Sequence, residues 1–71
     1  MNFSENATIG EIYEIEQGRV LLETYLPKLL RSPSFQMTRG MSFRAVCRFH
    51  RWRLKRKVYA EAVARLEEIR Q

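Results

Sequence analysis

Ser42-Phe43-Arg44-Ala45-Val46-Cys47-Arg48-Phe49-His50-Arg51-Trp52-Arg53-Leu54-Lys55-Arg56-Lys57 opens a thirty-residue stretch, running to Gln71, that contains no Gly, Pro or Asp. No residue type in it breaks a helix, so the spacing of its side chains decides the fold. Phe43, Val46, Cys47, His50 and Leu54 share one helical face, while Arg44, Arg48, Arg51 and Lys55, four, three and four apart, line the opposite face. This pattern predicts a basic amphipathic helix. Farther on, Tyr59, Ala62, Val63, Leu66 and Ile69 form a second apolar stripe, beside which Glu61 and Arg65 make an i, i+4 pair. Between the stripes, Arg53, Lys55, Arg56 and Lys57 crowd four like charges into about one turn, which disfavours a helix there. The segment is therefore expected as one helix of about 42 Å or as two with a bend near residues 52–57. A chain of 71 residues hardly covers the longer form, which favours the bend.

Upstream, the punctuation is dense. Residues 1–7 read as a flexible lead, and residues 8–71 as a single helical domain. Thr8-Ile9-Gly10-Glu11 has the form of a capping box, in which the Thr8 hydroxyl takes the Glu11 amide and the Glu11 carboxylate returns to the Thr8 amide. A short helix is expected from there, burying Ile9, Ile12 and Tyr13. Gly18 argues for a turn over residues 16–18, followed by a second helix whose stripe is Leu22, Tyr25, Leu26 and Leu29. Pro27 ends or kinks that helix, standing at the first position of a continuation to about Arg31. Ser32-Pro33 begins a further turn or two over residues 33–39 carrying Phe35 inward, Gly40 offers a left-handed stop, and Ser42 caps the last segment.

Thr8-Ile9-Gly10-Glu11-Ile12, Gly18-Arg19, Leu22-Glu23, Tyr25-Leu26-Pro27, Leu30 with Ser32-Pro33, and Arg39-Gly40-Met41-Ser42-Phe43-Arg44 together resemble a small helical module at the C-terminal ends of some bacterial hydrolases. They are also similar, more distantly, to short four-helix domains of unknown function. The resemblance implies an all-α, compact bundle of four or five short helices. Its motifs are capping and packing residues, so it implies no catalytic residue. The chain departs from the pattern at Arg48 to Lys57, where a neutral or acidic linker is expected.

Charge is more informative in its distribution than in its sum of +5. Residues 1–23 carry a balance of −4, residues 24–60 hold ten Lys or Arg and no acid, and residues 61–71 balance at −1. Such a middle sets up a positive field that favours an anionic partner. The plainer alternative is that these cations face water or pair with Glu from the chain ends. So short a chain buries only about 60% of its unfolded surface, and a homodimer or docking partner would add to that. One Cys allows no internal disulfide, no leader pattern opens the chain, and no apolar run reaches membrane-spanning length, so a cytoplasmic location without transmembrane insertion is expected.

Catalytic chemistry finds few candidates. Cys47 and His50 are helical neighbours, but a lone Cys on an apolar face behaves as a small hydrophobe, and the two fall short of a metal set. No enzyme activity, metal or cofactor is expected. Binding remains, through Arg44, Arg48, Arg51, Trp52, Arg53, Lys55, Arg56 and Lys57. The first reading is a non-enzymatic module whose basic face over residues 44–57 meets an acidic protein. The second is sequence-nonspecific binding of RNA or DNA, with Trp52 stacking on a base. Against that, Trp52 with Phe49 and Tyr59 would instead close the core or a dimer seam.

Overall fold

The first helix begins where its capping box places it. In a computed structural model that describes residues 2–70, the Glu11 amide donates to Thr8 Oγ1 at 3.1 Å, and the Thr8 amide donates to Glu11 Oε1 at 2.9 Å. Helix α1 extends over Ile9–Tyr13, then α2 over Glu16–Tyr25, α3 over Pro27–Arg31, α4 over Phe35–Thr38, α5 over Phe43–Arg48 and α6 over Arg56–Leu66. The protein is all-α, with six short helices and no strand among the described residues, rather than four or five helices. None of the helices described is long and apolar enough to cross a membrane.

Gly18 does not mark a turn. It lies inside the first turn of α2, where a Cβ would stand 1.9 Å from the Ile12 carbonyl oxygen. The two backbones meet at a distance only glycine allows, and this closeness outweighs its poor helix propensity of about 1 kcal/mol. Pro27 acts as its chemistry requires, starting α3 at once after Leu26 closes α2 through a 2.7 Å bond from its amide to the Leu22 carbonyl. The turn at Ser32-Pro33 delays α4 to Phe35, with Ser32 Oγ accepting the Ser34 amide at 3.1 Å. Phe35 then packs on Tyr13, ring centroids 5.1 Å apart. Gly40 supplies no left-handed stop, for no glycine among the described residues has positive φ and a Cβ there would meet open space.

What ends the α4 segment is a reciprocal contact between the starts of α1 and α5. The Ile9 and Gly10 amides donate to the Met41 and Arg39 carbonyls at 2.9 and 3.0 Å. In return, the Phe43 and Arg44 amides donate to the Ala7 and Glu5 carbonyls, again at 2.9 and 3.0 Å. Each helix thus has two of its orphan amides satisfied by the strand-like lead into the other. Gly10 keeps this contact close, since a Cβ on it would lie 3.2 Å from the Arg39 carbonyl oxygen. Ser42 caps α5 as its type suggests, accepting the Ala45 amide at 3.1 Å.

The last segment forms two helices, as the crowding of cations favours, but the break falls over residues 49–55 rather than near 52–57, so the basic amphipathic face expected over residues 44–57 is not one piece. Helix α5 ends at Arg48, Phe49 is extended, and residues 49–55 pass without helix to the start of α6. The crowded cations fall in this linker and in the first turn of α6, where a continuous helix would have stacked them. The lead over residues 1–7 is also tied down within the described residues. Phe3 is 3% exposed, its amide donates to the Ile69 carbonyl at 3.2 Å, and Asn2 Nδ2 donates to the Glu67 carbonyl at 2.8 Å. One apolar cluster joins these ends to Ile9, Ile12, Leu22, Leu29, Phe43, Val46 and Leu66.

Gly18→Ala is expected to cost about 1–3 kcal/mol or more, as overpacking against backbone that cannot retreat, whereas Gly40→Ala should be neutral or stabilise by about 0.4–1 kcal/mol. Chemical denaturation of the two variants beside the parent checks the contrast. The capping box lowers the Glu11 carboxyl below its ordinary 4.5 through the Thr8 amide and hydroxyl. Its contribution is present above that value and lost as pH falls through the lower folded one. Melting temperatures of the parent and Glu11→Gln should therefore differ at neutral pH and converge in acid.

Candidate partner-binding groove

Helix α5, the linker and the first turns of α6 surround an open groove of about 1180 Å³. Arg44 and Arg48 reach it from α5, Arg53 and Lys55 from the linker, and Arg56 from α6. Leu54, Cys47 and Tyr59 supply its apolar surface, and Glu5 enters from the lead. Tyr59 lies against Phe43 with ring centroids 6.0 Å apart at 19°, so the α5–α6 packing fixes the floor.

Five of the eight cationic and aromatic residues singled out from the sequence therefore converge. The other three do not. Arg51 and Trp52 line a smaller recess of about 250 Å³ with Tyr25, Leu26, Pro27 and Lys28, which shares Arg53 and Leu54 with the groove. Lys57 is exposed on α6 and lines neither. Arg44, Arg48, Arg51 and Lys55 are thus not one face of one helix, because the chain leaves the helical path after Arg48. His50 leaves the apolar face too and is exposed beyond the end of α5, away from the buried environment of Cys47. Trp52 is half-buried against the core, edge-on to Phe49 with centroids 6.0 Å apart at 80°.

One carboxylate meets these cations. Arg44 Nε stands 3.6 Å from Glu5 Oε1, the only ion pair within 4.0 Å among the described residues. Tyr59 donates its hydroxyl proton to the same Glu5 Oε1 at 3.2 Å. Burial, and then the Glu5 acceptor, push the Tyr59 hydroxyl up to about 12, so it remains a proton donor across the neutral range. Among the described residues, Arg48, Arg53, Lys55 and Arg56 have no carboxylate within that distance. The N-terminus of α6 adds to their field, for no side chain caps it and no acid lies in its first turn.

Glu5 and Tyr59 were not legible as site residues. Glu5 is carried there by the bond from the Arg44 amide to its carbonyl, a contact 39 positions apart in a chain with no local signal for it. Tyr59 reads as one member of an apolar stripe, and only the packing of α6 on α5 turns its hydroxyl toward the lead. Cys47 is 6% exposed, and burial pushes its thiol up to about 12, far from a thiolate at neutral pH. Among the described residues no three His, Cys, Asp or Glu come together as metal ligands would. A second cleft of about 550 Å³ between α2 and α6 offers Val20, Thr24, Arg65 and Glu68, a mixed lining without a dominant charge. Compared with family models, curated proteins and solved structures, the chain gives no match.

Native Cys47 should resist alkylation by iodoacetamide at neutral pH and react only as fast as the chain opens. Mass spectrometry with and without denaturant measures this.

Proposed function

We propose that this chain is a non-enzymatic helical interaction module whose groove binds an acidic segment of a partner protein. The observation that carries the reading is the convergence of Arg48, Arg53, Lys55 and Arg56, without carboxylate partners among the described residues, around a floor of Leu54 and Tyr59. Carboxylates at the rim and an apolar side chain on the floor would complement it, the pattern of an acidic amphipathic peptide. A nucleic acid would use the same cations for phosphates, but stacking there needs an aromatic face open in the groove; Phe49, though 46% exposed, does not line it, and Tyr59 gives one face to Phe43. Trp52 packs against the core in the neighbouring recess, not in the groove, and is edge-on to Phe49. The arrangement therefore favours the protein ligand.

Fluorescence anisotropy decides between the two. A labelled peptide alternating Glu and Leu should bind at about 0.15 M salt and weaken as salt rises. Arg48→Gln and Arg56→Gln should each weaken it by about threefold or more, with stability changed by no more than about 0.5 kcal/mol because both side chains are exposed. Tight binding of single-stranded or duplex oligonucleotides, with none of the peptide, would overturn this reading in favour of nucleic acid.

A further inference from the structure

Glu5 sits in the groove as a ligand would. Its carboxylate is the single anion among five cations, held by the Tyr59 hydroxyl at 3.2 Å and by Arg44 Nε at 3.6 Å. Its backbone is anchored independently, since its carbonyl accepts the Arg44 amide at 3.0 Å as part of the contact between the starts of α1 and α5. The side chain can therefore rotate out to solvent without unpinning the lead. At 3.6 Å and with both side chains partly exposed, the ion pair is of the weak, solvent-screened kind, so its loss is no barrier.

We propose that Glu5 occupies the anion-binding position of the groove in the unbound chain, and that the partner's segment places a carboxylate of its own on Arg44 and Tyr59, displacing Glu5. This rests on the acidic-peptide reading and adds to it the site of the key anion and the competitor built into the chain. Tyr59 matters to the choice of ligand, because a phenol hydroxyl donates one hydrogen bond to a carboxylate while the guanidinium beside it supplies the charge. Displacement also makes binding weaker than the cations alone would give, because the incoming anion must replace one already in place.

The test is the affinity of Glu5→Gln for the same Glu-Leu peptide, with Glu23→Gln as the control. Glu23 is exposed on α2 and lines none of the groove, yet its substitution changes the net charge equally. Glu5→Gln should bind about fivefold tighter at about 0.15 M salt, the effect of no longer having to displace a carboxylate held by a weak, screened ion pair, and Glu23→Gln should bind as the parent does. Equal tightening in both variants would mean that net charge alone is responsible and would overturn the proposal. So would weaker binding by Glu5→Gln, which would make Glu5 a support for Arg44 rather than a competitor. If the parent binds the peptide and Glu5→Gln gains nothing, displacement fails while the function stands. If neither binds, the function fails and takes displacement with it. The native chain provides a check that does not depend on a variant folding: the carbon-13 resonance of the Glu5 carboxyl should move as peptide is added, and a resonance unmoved at saturation would overturn the proposal.

Discussion

The exchange of backbone hydrogen bonds between the starts of α1 and α5 is the constraint on which the rest of the structure depends. Helices of five and six residues cannot hold themselves together in water, because nucleation costs more than so few bonds return. Here each supplies carbonyls from its own lead to the other's exposed amides, and each has a hydroxyl cap of its own, Thr8 or Ser42. The arrangement has an approximate twofold character. The residue one before each cap accepts the first helical amide of the other helix, and the residue three before it accepts the second. Ile9 and Phe43, immediately inside the two caps, are both fully buried, so the polar contact and the centre of the core are placed together.

This explains which parts of the fold the sequence discloses. The capping box, the proline start of α3 and the serine cap of α5 are local chemistry, settled within four residues, and all three appear where the residue types indicate. Gly18 and Gly40 mislead because a glycine reads the same whether it serves backbone torsion or close approach. Gly18 and Gly10 are there for proximity to the Ile12 and Arg39 carbonyls, and Gly40 is in neither situation. Both approaches arise only when separate elements meet in the folded chain, so no local propensity reports them.

The candidate site was half legible for a related reason. Composition revealed a basic middle, but a helical projection assigned its members to one continuous face. The break after Arg48 redistributes them, bringing Arg53, Lys55 and Arg56 to the groove with Arg44 and Arg48 while Arg51 and Trp52 line the neighbouring recess. Like charges that would crowd one continuous helix are instead divided among α5, an irregular linker and the first residue of α6, where five of them ring a concave surface. The anion inside that ring comes from the opposite end of the sequence, and its position depends on the cap exchange.

The pairing of Phe3 with Ile69 has a consequence for how such a unit can be built into larger architecture. Because Asn2 and Arg70 are bridged side by side, polypeptide arriving and polypeptide departing would share one doorway. A surface loop of another protein could accept the whole unit as an inset, its width at the junction no greater than that of two neighbouring strands.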